Sequence, residues 1–388
     1  MTTLRKYFIH ILLFIVTLLT TTIAGIEWIF GKSILDPAAS LTAYHWTEGA
    51  KYSFALLGAL TVHEFGHYFT ALYYRVKVTL PYYIPFWGFS FMLSIGTMGA
   101  FIKMQSPVPS RKQYFDIGIA GPLAGLVIGL GVLFYGYTHL PPKSYVLEIH
   151  PEYRTLEGYK TYGNDYEQYA YENREDPAVF IGKNLFILLF ENYVANQPER
   201  IPDMREFMHY PFLLAGYLTL LFTALNLIPI GQLDGGHILY GLIGRKAFNR
   251  VAPVLFFIFV TYAGIDIIDL SNPTGMLLLY VLLYFLFLYL LYIRVAKQQL
   301  NQAVILSLLT LATQLVIQLA FPMVKGYAGW LVFALLLGRF LGVYHPPTLY
   351  EQPLSLGRQL LGWFTLLVFV CSFTPYPIEV VLPDTQSP

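Results

Sequence analysis

His63-Glu64-Phe65-Gly66-His67 lies inside the apolar run Ser53–Tyr73, and its reading governs how the rest of the chain is understood. Residues four apart share one face of an α-helix, so His63 and His67 point the same way and can hold one metal ion. Glu64, next to them, is placed to take a proton from water held at such an ion. A pair of core histidines satisfied by hydrogen bonds is the plainer alternative. Against it, two histidines and a glutamate inside an apolar helix cost several kcal/mol of desolvation unless something pairs them.

Outward from this stretch, the composition is that of a membrane protein. Of 388 residues, 56% are hydrophobic and only 12% charged, against roughly 25% charged in a soluble domain. Apolar runs of about 17 to 25 residues recur, each long enough to cross a bilayer. The expected class is an all-α polytopic membrane protein with the lipid bilayer as its surroundings. The formal net charge of +1 suggests no nucleic-acid partner. Cys371 is the single cysteine, which rules out an intramolecular disulfide and a thiolate metal cluster and leaves His, Asp or Glu as metal ligands. The first apolar run follows Arg5 and Lys6 and continues to Phe30, longer than a signal-peptide core, and reads as an uncleaved anchor.

Nine spans are expected: Tyr7–Phe30, Lys51–Tyr74, Tyr114–Tyr137, Tyr210–Ile230, Val251–Asp266, Gly275–Tyr292, Ala303–Phe321, Tyr327–Leu341 and Gln359–Phe373. They divide the chain into an anchor with its loop (1–50), a membrane core (51–250) carrying an extramembrane insertion (140–208), and C-terminal helices with a tail (251–388). His45 reads as a loop histidine. Val78–Met104 is apolar but broken by Pro81, Pro85, Gly88, Gly96 and Gly99, which argues against a straight helix. With Val78-Thr79-Leu80 and Phe101-Ile102 as strand material, it reads as a β-hairpin dipping into the membrane or lying on it, a distorted span being the alternative. Such backbone survives at membrane depth only where protein or a wet cavity satisfies it. Ser106–Gln113 reads as a basic loop. Gly121, Gly125 and Gly129 repeat every fourth residue, a spacing that lets two helices approach closely.

The insertion Leu140–Met208 is acidic and tyrosine-rich, and its apolar patch Asn184–Phe190 forms a small core or lies on the membrane. His150 and His209 show no metal spacing and read as structural. In Asn226-Leu227-Ile228-Pro229-Ile230-Gly231-Gln232-Leu233-Asp234-Gly235-Gly236-His237, Pro229 should end a helix and leave Asp234 in an unwound segment. Asp234 is then either a cap or turn aspartate, or the third, oxygen ligand that a two-histidine metal site lacks. The proline-rich tail Pro375–Pro388 is expected to be disordered or extended. With nine spans and the hairpin, the lysines and arginines between spans fall on one side, which the positive-inside rule makes cytoplasmic. That orientation puts Glu64 and Asp234 toward the cytoplasmic half, with a bacterial inner membrane as the expected location.

Three features together resemble the site-2 protease family of intramembrane zinc metalloproteases, closest to the branch with bacterial and chloroplast members. They are His63-Glu64-Phe65-Gly66-His67 in a span, Ile119-Ala120-Gly121-Pro122-Leu123-Ala124-Gly125 at the next helix, and Asn226-Leu227-Ile228-Pro229 followed by Leu233-Asp234-Gly235-Gly236. The resemblance covers about Lys51–His237 without the insertion. It implies zinc held by His63, His67 and Asp234, Glu64 as general base and acid, and Asn226 positioning substrate or the developing oxyanion. It further implies a three-helix metalloprotease core, a membrane-associated β-hairpin lining the substrate, and membrane protein substrates with a transmembrane helix. Many bacterial relatives carry a PDZ module between core helices; Leu140–Met208 lacks that pattern and stands in its place. A metal-binding transporter would predict inverted repeats, and none is visible. An inactive scaffold would typically have lost one of the four metal or base residues, and all four are present.

Overall fold

The computed structural model describes residues 3–89, 94–155, 178–270 and 273–381, which are mostly helical. They fall into two units. The first is Met1–Pro107, Ala120–Leu225 and Leu367–Pro388; the second is Val108–Ile119 and Asn226–Leu366.

In the first unit, α1 (Thr3–Phe30) packs along α2 (Ala43–Tyr73). Hydroxyls in so apolar a helix need acceptors, and Thr17, Thr21 and Thr22 each donate to the carbonyl four residues back. α2 begins earlier than the expected span. Thr42 is its N-cap, and the Thr42 backbone N–H donates to His45 Nδ1 at 2.9 Å. His45 is therefore a buried helical residue closing a capping box, not a loop histidine; the imidazole takes the place usually held by Glu or Gln.

Strands β1 (Tyr82–Pro85) and β2 (Thr97–Phe101) pair antiparallel, with Tyr82 opposite Phe101 and an irregularity between Tyr83 and Pro85. The ladder lies further along than expected: Val78 makes only an isolated bridge to Met104, and residues 90–93 of the connection lie outside the described residues. The segment leading into β2 is tied to both helices through its backbone. Thr20 Oγ1 donates to Gly96 O (2.7 Å), Trp28 Nε1 to Ser94 O (2.8 Å) and Tyr52 OH to Ile95 O (2.9 Å). Carbonyls of this segment are thus met by neighbouring side chains, as an apolar setting requires.

α3 (Arg111–Thr138) follows, then short helical turns at Val146–Ile149 and Pro151–Thr155. The middle of the insertion, 156–177, lies outside the described residues. β3 (Ala178–Ile181) then pairs antiparallel with β4 (Ile378–Val381), so part of the expected disordered or extended tail is an ordered strand. The apolar patch is α4 (Leu185–Tyr193), capped by the Asn184 side chain accepting from Ile187 N–H (3.0 Å). It buries Ile187 and Phe190 and exposes Leu185, Leu188 and Leu189. α5 (Pro211–Leu227) ends two residues before Pro229.

The second unit holds α6 (Asp234–Ala263), α7 (Thr274–Val295), α8 (Leu300–Ala320) and α9 (Gly329–Leu335), which runs into a π turn at Leu336–Leu341. α10 (Leu356–Ser372) follows them in the chain. α6 is broken at Gly244 (φ 74°), a left-handed conformation suited to glycine. Beside the break, the Arg111 guanidinium donates to Gly241 O (2.9 Å) and Leu242 O (3.1 Å). Arg111 is thus a buried residue opening α3, not a loop cation.

By length and composition, five described helices can cross a membrane: Tyr7–Phe30, Arg111–Thr138, Asp234–Ala263, Gly275–Val295 and Leu300–Ala320. α2 is not among them although it is long, for it carries His63, Glu64 and His67.

Candidate metal centre

α2 brings His63, Glu64 and His67 onto its buried side, and all three are at most 7% exposed. The helical repeat brings the two imidazoles together edge to face, with ring centroids 4.8 Å apart and Nε2 atoms 3.1 Å apart. Two ligands of a tetrahedral ion with bonds of 2.0–2.1 Å stand about 3.3 Å apart, so the pair is spaced as adjacent zinc ligands are. The Glu64 carboxylate lies 4.0 Å from His63 Nε2, beside the paired nitrogens.

The reason the rings hold this arrangement lies on α3. A Cβ at Gly121 would overlap the His67 imidazole, and one at Gly125 would come within 3.0 Å of His63 Cβ. Gly66 meets the backbone at Ala120 equally closely, 2.6 Å from a Cβ to the carbonyl oxygen. The glycine spacing read from the sequence therefore lets α3 lie against the two histidines themselves.

On the other side, Thr61 Oγ1 and Tyr83 OH are 2.7 Å apart, joining β1 to α2. Thr61 and Glu64 are three apart and share a helical face, so the strand pair is anchored on the face that carries the carboxylate. Nothing in the spacing of Thr61 and Tyr83 marks them; the link exists only once the strands fold back on α2.

Asn226 and Asp234 belong to the second unit. Asn226 is in the last turn of α5. Asp234 is not in the unwound stretch but is the first residue of α6, with Leu233 as N-cap and the non-helical residues at 228–233. The break comes where Pro229 lacks a backbone donor, and Gly235 lets the new helix start against Leu227 O, where a Cβ would clash. A carboxylate in the first turn is favoured by the helix dipole, a structural reason for Asp234 that is compatible with a ligand role.

Residues 51–265 match the model of peptidase family M50. Among curated proteins, the chain is 26% identical over 263 residues to "Probable zinc metalloprotease EGY1, chloroplastic" of Arabidopsis thaliana, covering 63% of this chain and 41% of that one. It is 27% identical over 260 residues to the protein of the same name in Oryza sativa subsp. japonica, covering 63% and 39%. To "Probable zinc metalloprotease EGY2, chloroplastic" of Oryza sativa subsp. indica it is 28% identical over 204 residues, covering 53% and 30%. The chain thus spans about two fifths of the length of the first of these relatives. No solved structure matches it. The relatives are chloroplast proteins by name and lend no support to a bacterial inner membrane; the membrane-crossing helices make the chain an integral membrane protein.

Proposed function

Because the chain belongs to peptidase family M50, we propose that it is a zinc-dependent intramembrane endopeptidase, hydrolysing peptide bonds in or near transmembrane segments of membrane proteins. The observation that carries this reading is the pair of histidine nitrogens 3.1 Å apart on the buried face of α2, with Glu64 beside them. The zinc ligands are His63, His67 and Asp234, two neutral imidazoles and one carboxylate, a set that leaves a fourth position open. Asn226 positions the substrate carbonyl. The catalytic core is 51–250, and α2, α5, α9 and α10 complete nine spans with the five longer helices.

Zinc held by His63, His67 and Asp234 would supply a Lewis acid for the scissile carbonyl and for water, whose pKa it would lower toward neutrality. Glu64 takes the proton of the attacking water as its oxygen bonds to the carbonyl carbon. It returns that proton to the nitrogen as the C–N bond breaks. A helical substrate hides its peptide bonds and must unwind first. The paired strands β1 and β2, membrane-associated in this reading and anchored to α2 through Tyr83, offer an edge to which the unwound segment adds as a further strand.

Purified protein in proteoliposomes should cleave a transmembrane substrate, lose that activity on chelation and regain it with zinc. Phe101→Pro or Ile102→Pro should lower cleavage more than it lowers expression. Undiminished turnover by metal-free protein overturns the proposal.

A further inference from the structure

A second cluster of metal-ligating side chains stands in the first unit, apart from the α2 pair. His150 follows the helical turn Val146–Ile149. Glu206 and His209 are brought to one side by the 3₁₀ turn Phe207–His209, where His209 N–H donates to Glu206 O at 2.9 Å. Three potential ligand atoms converge. His150 Nε2 and His209 Nε2 are 3.1 Å apart, His209 Nε2 and Glu206 Oε2 are 3.2 Å apart, and His150 Nε2 and Glu206 Oε2 are 3.7 Å apart. These separations bracket the roughly 3.3 Å edge of a tetrahedron around an ion with 2.0–2.1 Å bonds.

The outer contacts point the same way. His209 Nδ1 faces the Ile29 carbonyl at 2.6 Å, and His150 Nδ1 faces a Glu152 carboxylate oxygen at 2.7 Å. Both are acceptors, so each ring in its neutral form carries its proton on Nδ1 and turns the Nε2 lone pair inward. Two lone pairs and a carboxylate oxygen then face one point, an arrangement relieved by a proton on one ring or by a cation held between them. Metal-bound histidines characteristically donate their other N–H to a carboxylate or a backbone carbonyl, and this cluster shows one of each. Tyr153 OH donates to the other Glu206 oxygen at 3.2 Å and fixes the carboxylate. Glu206 and His209 are buried, whereas the His150 side chain is 21% exposed, which leaves a route for an ion.

We propose that His150, Glu206 and His209 form a second divalent-metal site, taking zinc by its imidazole and carboxylate donors, and that it is structural. It joins the start of the insertion to its end, two residues before α5 begins at Pro211, and holds both near the last turn of α1 through Ile29.

The test uses the full chain with His63→Ala and His67→Ala, so that only this site is counted. After equilibration with micromolar zinc and removal of excess, elemental analysis should find about one zinc per chain, since a folded two-histidine, one-carboxylate site binds tightly. Adding His150→Gln, at the exposed ligand where folding is least at risk, should bring the count close to zero. It should also abolish the rise in unfolding temperature that zinc produces. Cobalt in place of zinc should give the intense visible absorption of a tetrahedral site, lost in the same variant. No bound metal in the His63/His67 variant, or bound metal indifferent to His150→Gln and Glu206→Gln, overturns the proposal. The count is independent of the protease reading: if α2 holds no metal, wild-type and doubly substituted chains bind the same single ion, and only that reading fails.

Discussion

The two histidine pairs of the first unit have the same spacing between Nε2 atoms, 3.1 Å, reached by opposite routes. His63 and His67 are held one helical turn apart in α2, so the helix alone puts them on one face and α3 only seats their rings. His150 and His209 come from segments separated by 59 residues, and their spacing exists only in the folded unit. On the proposed function, an ion at the first pair is positioned by a helix and serves chemistry. An ion at the second is held only by the fold, so binding free energy there is folding free energy. Identical local geometry thus supports different roles according to how it is assembled.

The sharpest way to separate the two is Glu64→Gln. It should cut cleavage by about 10²–10⁴-fold, the usual worth of a general base, while elemental analysis finds unchanged zinc. Retention of most turnover would break the assignment of chemistry to α2. Next in size, Gly121→Ala places a methyl group in the His67 ring and should cost about 1–3 kcal/mol of stability through overpacking, with zinc lost from the α2 site. Gly131→Ala on the same helix meets nothing within 4 Å and should gain about 0.5–1 kcal/mol from helix propensity. Thermal unfolding of the two variants makes the comparison; equal effects would mean that α3 does not seat the histidines. For the second site, Glu152→Gln removes the carboxylate behind His150 and should weaken zinc binding about 10-fold, the low end for an outer partner, with cleavage unchanged; competition with a chelator reads this. Smallest is Tyr83→Phe, which removes one hydrogen bond to Thr61 and should cost about 0.5–1.5 kcal/mol in transition-state stabilisation, seen as a lowered kcat/KM.

What was legible in the sequence follows the same division. The α2 pair and the end of α5 before Pro229 depend on neighbours in sequence and could be read, and the four-residue glycine spacing announced a close helix contact without naming its partner. The strands were legible as an interruption by proline and glycine, but not their register, which pairs Tyr82 with Phe101 and is set by contacts across an irregularity between Tyr83 and Pro85. His45 was misread because a capping box normally carries a longer side chain. Arg111 reads as part of the basic loop Ser106–Gln113 because its partners are carbonyls beside a helix break far along the chain. Asp234 was placed in the unwound stretch because Gly235 and Gly236 look like turn residues, whereas they let α6 start at once. His150, Glu206 and His209 gave no signal, since no periodicity links the two ends of a long insertion.

The pairing of β3 with β4 bears on how the protein is made. Ala178–Ile181 leaves the ribosome about 200 residues before its partner Ile378–Val381, and at ~5–20 residues per second that interval is on the order of 10–40 s. Throughout it the β3 edge is open to pairing with other chains, while α5 to α10 are still being synthesised. The first unit therefore closes only after the second has been synthesised, so a stall in inserting the later helices would expose the earlier part of the molecule.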